Sequence, residues 1–159
     1  MNSTYQEQTT GTLVAIHNIL LAEDDSDDQY LFKYVLESLK ISFTLTIVTD
    51  GEELMKLLSD ESNSLPDILF LDLNMPRKNG AECLVEIKKL QHLRQLPIVI
   101  CSTAREDNST PLLHENGAKY YLMKPDQLSQ FKQLVKKAIE QIKQTGNSQP
   151  PLKDFMLTI

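Results

Sequence analysis

Ile68-Leu69-Phe70-Leu71-Asp72-Leu73-Asn74-Met75-Pro76-Arg77-Lys78-Asn79-Gly80 runs four apolar residues straight into an aspartate and follows it with turn chemistry. A short continuous apolar run bounded by turn signals is the pattern of a buried parallel strand. The last residue of such a strand sits at the carboxyl edge of a sheet, where open α/β folds place their ligands. An aspartate there is a nucleophile or metal ligand more readily than a salt-bridge partner. A second run of this kind, Ile19-Leu20-Leu21-Ala22-Glu23-Asp24-Asp25, ends in three consecutive acids. Two strands that deliver carboxylates to one edge make an acidic pocket, and such a pocket calls for a cation.

Working outward, the segments alternate strand and helix. The pattern predicts strands over 18–22, 44–48, 67–71, 98–102 and 119–123. Between them, helical spacing of apolar residues covers 27–39, with Ser26 and Gln29 fitting a capping box. Asp50 with Glu53 opens a second helix that carries Leu54, Met55, Leu57 and Leu58. Asn79-Gly80 marks a turn before a third helix over 81–90. A polar stretch, 104–116, reads as a weaker fourth helix closed by Gly117, and 127–144 as an amphipathic fifth. Strands alternating with helices imply βαβ units and a parallel sheet. The expected fold class is α/β, a doubly wound five-stranded parallel sheet in a three-layer sandwich. It is flavodoxin-like in strand order, 2-1-3-4-5, with strands one and three side by side at the switch point.

At 159 residues the chain suits one domain. The expected division is an N-terminal extension over 1–17, a domain over 18–144, and a linker with an apolar tail over 145–159. Hydrophobic content of 41% with 24% charged residues is enough for a core without staples. The net charge of -6 speaks against nucleic acid or an anionic membrane as partner. Cys83 and Cys101 both lie in apolar patterns, which fits buried thiols in a reducing compartment. The N-terminus lacks the basic start of a signal peptide, and the apolar stretch 13–22 is far short of a membrane span, so a cytoplasmic location is expected.

The predicted topology brings Asp24, Asp25 and Asp72 together, with Ser102-Thr103-Ala104 ending strand four and Lys124-Pro125 ending strand five. Carboxylates within about 5 Å of one another repel by roughly 3 kcal/mol per pair at an effective dielectric near 20. Hard oxygen ligands in an open, hydrated geometry suit Mg²⁺, which offsets that repulsion. A lysine opposite adds positive charge and a hydroxyl adds a hydrogen bond. This is equipment for phosphoryl transfer to a carboxylate. Asp72 attacks, and Mg²⁺, Lys124 and Thr103 stabilise charge on the equatorial oxygens.

The set Glu23-Asp24-Asp25, Leu71-Asp72-Leu73-Asn74-Met75-Pro76-Arg77-Lys78-Asn79-Gly80, Cys101-Ser102-Thr103-Ala104 and Gly117-Ala118-Lys119-Tyr120-Tyr121-Leu122-Met123-Lys124-Pro125 strongly resembles the receiver domain of two-component response regulators. The resemblance covers about residues 18–143. It implies Asp72 as phosphoacceptor and Mg²⁺ held by Asp24, Asp25, Asp72 and the backbone carbonyl of Asn74, with Asp25 the more direct ligand of the acidic pair. It further implies Thr103 and Lys124 as phosphoryl-binding groups and a cis peptide before Pro125. Thr103 and Tyr121 would be the switch pair, Thr103 swinging inward on phosphorylation and Tyr121 rotating into the vacated space. The run Glu23 to Asp28 with Asn74 to Gly80 looks like the stand-alone class that pairs with phytochrome-type histidine kinases.

The resemblance therefore implies a single-domain signalling protein that takes a phosphoryl group from a sensor histidine kinase. Its output would be phosphorylation-dependent protein binding, to another protein or as a homodimer. Relay to a histidine phosphotransfer protein is the alternative. An enzyme of the aspartyl-phosphate phosphatase type would carry an acid two residues after the nucleophile, where Asn74 stands, so turnover beyond self-phosphorylation and slow self-dephosphorylation is not expected. Arg105, two residues after Thr103, is expected to slow hydrolysis of the phosphoryl group. Asp27 and Asp28 read as a solvated helix start, and His17, His92 and His114 as surface or linker residues. Tyr120 reads as packing, and the tail 149–159 either as a loose end or, favoured by the cost of leaving Phe155-Met156-Leu157 in water, as a segment that docks on the domain or on a twin subunit.

Overall fold

The computed structural model describes residues 15–146 and 148–159. The N-terminal extension expected over 1–17 lies outside the described residues as far as residue 14. The strands are β1 (Asn18–Ala22), β2 (Thr44–Val48), β3 (Ile68–Asp72), β4 (Ile98–Ser102) and β5 (Tyr120–Met123). They form one parallel sheet in the order β2-β1-β3-β4-β5. The helices are α1 (Ser26–Ser38), α2 (Gly51–Ser59), α3 (Gly80–Lys89), α4 (Thr110–Glu115) and α5 (Leu128–Thr145). This is the doubly wound sandwich that the sequence pattern predicts.

Two cores sit on the two faces of the sheet, and the pleat divides the strand residues between them. Leu69, Leu71 and Ile100 face α2 and α3. Ile19, Leu21, Ile68, Phe70, Cys101 and Leu122 face α1 and α5. Every residue of β3 and β4 is buried, which explains their unbroken apolar runs. Among the described residues no helix is long and apolar enough to cross a membrane.

Several boundaries differ from the expectation for identifiable reasons. Asp25, not Ser26, caps α1; its Oδ1 accepts from the backbone N–H groups of Asp27 (2.8 Å) and Asp28 (3.0 Å). The Gln29 side chain, which a capping box would turn back to Ser26, donates instead to the Glu23 carbonyl. β3 begins one residue later than expected, at Ile68, and the Asp67 carboxylate just before it accepts from the N–H groups of His17 and Asn18. The fourth helix shrinks to Thr110–Glu115. Asp107 accepts from both the N–H and the hydroxyl of Ser109, and Thr110 accepts from the Asp107 N–H, so local side-chain bonds displace the helix there.

The turn after β3 is held by its glycine. A Cβ on Gly80 would lie 2.2 Å from the Asp72 carbonyl oxygen and 2.9 Å from the Leu73 Cα. Only glycine lets α3 start this close to the backbone of Asp72. Asn79 then caps α3 by accepting from the Glu82 N–H at 2.9 Å.

The C-terminal segment docks on the domain. Phe155 is fully buried, and Met156 bridges to Tyr121 in parallel, so the chain end covers the outer edge of β5. His114, expected at the surface, anchors it: its Nε2 lies 2.7 Å from the Pro150 carbonyl, and its ring meets Phe155 edge-on.

Candidate functional site

The site grows out of the pleat. On β1, β3, β4 and β5 a residue of the α1/α5 core is followed two positions later by a polar residue beyond or at the strand's end. Leu21 leads to Glu23, Phe70 to Asp72, Cys101 to Thr103 and Leu122 to Lys124. Sheet bonding carries Glu23 along, since its N–H donates to the Val48 carbonyl at 3.0 Å. The four side chains therefore start from the same face at the same edge.

Glu23, Asp24 and Asp72 each offer a carboxylate oxygen, and these atoms all lie within 4.8 Å of one another. Glu23 and Asp72 are buried and Asp24 is exposed. The structure moves the acidic pair one residue back from the expectation. Asp25 spends its carboxylate on capping α1, and the residue beside Asp24 in the cluster is Glu23. Glu23 is the functional residue that the sequence reading missed, although the alternation after Leu21 signals it.

Lys124 stands over this cluster. Its Nζ lies 2.8 Å from Glu23 Oε1, 3.1 Å from Asp28 Oδ2 and 4.0 Å from Asp72 Oδ2. Asp28 is thus part of the ammonium's surroundings and not merely a solvated helix start. The Lys124 N–H also bonds the Ser102 carbonyl, tying the ends of β4 and β5 together. The floor is apolar, with Phe32, Cys101 and Phe131 beneath the charged groups.

That floor shifts the titration of the groups above it. Burial, then the contacts with Asp72 and Asp28, push the Glu23 carboxyl up to about 9, against the opposing pull of Lys124. Burial would lower the Lys124 ammonium, but the hydrogen bond to Glu23 and the surrounding negative charge hold it above its ordinary value. Burial would raise Asp28, yet its hydrogen bonds to Glu23 and Lys124 bring it below the usual carboxylate range. The Cys101 thiol is pushed up to about 12 by burial, so it is an inert wall of the site.

The donor set fits a divalent cation. All its members are carboxylate oxygens, which suit hard cations. Glu23 Oε2 is moreover buried without a hydrogen-bond partner. A buried carboxylate oxygen in that state is costly unless something positive meets it.

The remaining predicted residues lie around this centre. The Asn74 N–H donates to Asp72 Oδ1 at 3.3 Å, so the chain after β3 curls back over the aspartate. Thr103 is exposed, one residue beyond the end of β4. Tyr121 is buried and its hydroxyl donates to the Ala104 carbonyl at 2.8 Å. Tyr120 packs in the α1/α5 core. The Lys124–Pro125 peptide is trans, which corrects the expected cis bond. Only about 0.5–1 kcal/mol separates the two isomers at an X–Pro bond, so context decides.

An acid cluster at the β1/β3 switch point, with a lysine over it, is the pattern that comparison with known proteins meets. The family described as the response regulator receiver domain matches residues 19–136. The chain belongs to this family. Among curated proteins it is 33% identical over 121 residues to the response regulator Rcp1 of Synechocystis, covering 74% of this chain and 82% of that one. The solved Mn(2+)-bound form of Rcp1 superimposes with a TM-score of 0.72 at 31% identity, over 85% of this chain and 99% of that chain. The phosphorylated cyanobacterial phytochrome response regulator RcpA superimposes with a TM-score of 0.74 at 33% identity, over 86% of this chain and 100% of that chain. This receiver thus shares nearly the whole length of two solved response regulators, in keeping with its resemblance to the stand-alone, phytochrome-partner class.

Proposed function

We propose that this receiver is a single-domain response regulator that accepts a phosphoryl group from a histidine kinase onto Asp72 and signals by phosphorylation-dependent protein binding. The observation that carries this reading is the placement of Asp72. It is 7% exposed, lies within 4.8 Å of two further carboxylate ligands, and faces the Lys124 ammonium at 4.0 Å.

In the forward step an Asp72 Oδ attacks phosphorus. The new P–O bond forms as the P–N bond of the donor phosphohistidine breaks, and the electron pair returns to the imidazole nitrogen. Glu23, Asp24 and Asp72 would hold a divalent cation, Mg²⁺ in the cell, with the Asn74 carbonyl completing the protein ligands. The cation would screen the carboxylates from the incoming phosphoryl oxygens. Lys124 releases a hydrogen bond from Glu23 or Asp28 and places it on the transferred group. The Thr103 hydroxyl supplies another. A carboxylate is already ionised, so no general base is required. The buried floor keeps this charge pattern in a low dielectric, where it is strongest.

A phytochrome-type sensor kinase is the proposed donor. RcpA, a cyanobacterial phytochrome response regulator, supports that assignment through its full-length match to this chain. Enzymatic action is limited to self-phosphorylation and slow self-dephosphorylation. The test is incubation with Mg²⁺ and acetyl phosphate, followed by mass analysis. One acid-stable, base-labile phosphoryl group on Asp72, absent from Asp72→Asn, is expected. An unmodified wild-type chain under these conditions overturns the reading. Transfer from a phytochrome-type kinase is then tested against a kinase of unrelated input.

A further inference from the structure

Four contacts of Tyr121 lead to the C-terminal segment or to the loop after β4. The Tyr121 N–H donates to the Phe155 carbonyl and its carbonyl accepts from the Leu157 N–H, both at 2.9 Å. Residues 155–157 therefore pair with the free edge of β5 through one isolated parallel bridge at Met156. The Phe155 ring is fully buried and meets Tyr121 edge-on, with centroids 6.3 Å apart. On the far side of Tyr121, its hydroxyl reaches the carbonyl of Ala104, the neighbour of Thr103. One side chain thus connects the chain end to the loop that carries the phosphoryl-binding hydroxyl.

The segment is pinned from both directions. The Gln149 side chain donates to the carbonyls of His114 (2.6 Å) and Ala118 (2.9 Å), and His114 Nε2 meets the Pro150 carbonyl. Beyond the bridge, Lys137 of α5 donates to the Thr158 carbonyl. Phe155 sits between the His114 ring, 5.2 Å away, and the Tyr121 ring. Rotation of Tyr121 out of this position would leave a void beside Phe155 and break the bond to Ala104. Voids of that kind are unfavourable in a packed core.

We propose that Phe155 is a positioning residue for phosphorylation of Asp72. The docked chain end clamps Tyr121 inward, and Tyr121 holds the Ser102–Ala104 loop in the position that receives the phosphoryl group. The inward tyrosine is present in this structure while Thr103 still faces solvent. The contacts with Phe155 hold it there. Coupling between two sites is reciprocal, so phosphorylation and docking of the chain end strengthen each other by the same factor. This inference rests on the reading of Asp72 as phosphoacceptor.

The experiment uses the full chain with Mg²⁺ and acetyl phosphate. The rate of Asp72 labelling is followed together with amide hydrogen exchange at Leu157, whose N–H bonds the Tyr121 carbonyl. Phe155→Ala is expected to speed Leu157 exchange and to slow labelling by about fivefold or more, the low end of ordinary coupling. Phosphorylation of the wild type is expected to slow Leu157 exchange, by the factor through which docking favours the phosphorylated state at equilibrium. Phe155→Leu restores most of both effects, and it remains informative should the alanine variant fold poorly. Tyr121→Phe keeps the docked chain end but slows labelling, because the hydroxyl carries the contact to Ala104. Rapid Leu157 exchange in Phe155→Ala with unchanged labelling overturns the coupling, as does phosphorylation that leaves Leu157 exchange untouched. A wild type that takes no phosphate overturns the assignment of Asp72 and the coupling with it.

Discussion

Glu23 and Asp25 are two residues apart, carry the same functional group, and end in different worlds. Glu23 continues the hydrogen bonding and the pleat of β1, so its side chain follows Leu21 into the buried edge. Asp25 has left the sheet, and its carboxylate is taken by two backbone N–H groups of the first turn of α1. Asp72 behaves like Glu23, being the last residue of β3 and in phase with Phe70. The contrast teaches that direction at a strand end is inherited from the strand. Direction in the following loop is decided by competition for unsatisfied helix donors.

The comparison breaks most visibly in cation binding. Glu23→Ala and Asp24→Ala each remove one oxygen from the cluster, and each is expected to weaken Mn²⁺ or Mg²⁺ binding by about 100-fold, the upper end of what even supporting residues cost. Asp25→Ala should leave affinity within a few-fold of wild type. Calorimetric titration of the three variants distinguishes the groups. Equal losses at Glu23 and Asp25 would erase the distinction drawn here.

The same cluster imposes a pH dependence. Glu23 is raised from 4.5 to about 9 in the folded, metal-free chain. Across that window the native state holds a proton that the unfolded state has released. Metal-free stability therefore falls as pH rises through it. A cation must displace that proton, so affinity is expected to climb with pH, by up to about tenfold per unit, and to level off near 9. Glu23→Gln should flatten the climb. An equally steep profile in that variant would assign the proton to another group.

Much of this could be read before any coordinates. The order of strands and the placement of Asp72, Thr103 and Lys124 at one edge follow from apolar runs that stop where polar residues begin. The alternation along each strand contains Glu23 as well, but three acids in a row carry no mark of which one leaves the sheet. That is settled by the cap on α1, where Asp25 takes the place expected for a Ser26–Gln29 capping box. The role of Asp28 depends on Lys124, 96 residues away, and lies beyond any local pattern. The short α4 and the anchoring role of His114 likewise depend on contacts with distant or competing side chains. The docked chain end was suggested by its apolar residues, yet its partner Tyr121 could be identified only from the fold.

A further variant tests the turn that holds Asp72. Gly80→Ala places a methyl group 2.2 Å from the Asp72 carbonyl oxygen, and both neighbours it meets are backbone atoms that cannot swing aside. A loss of about 1–3 kcal/mol in stability is expected, with a lower denaturant midpoint. Asp25→Ala, which spares the cation, should cost about 1 kcal/mol through the lost cap. If the two variants were equally mild, Asp72 would not depend on the close approach of α3 to its backbone.

The smallest expected effect concerns Arg105. Arg105 follows Thr103 by two residues, as Asn74 follows Asp72, and both are exposed. Hydrolysis of the aspartyl phosphate requires a water to reach the phosphorus. The Arg105 side chain is long and its guanidinium can pair with phosphoryl oxygens, which would put its bulk in the way of that water. Arg105→Ala is expected to shorten the phosphoryl half-life a few-fold, equivalent to less than about 1.4 kcal/mol, without changing cation affinity. The decay of labelled protein after removal of the donor measures it. A half-life equal to that of the wild type would show that access to Asp72 is set by the buried cluster and Thr103 alone.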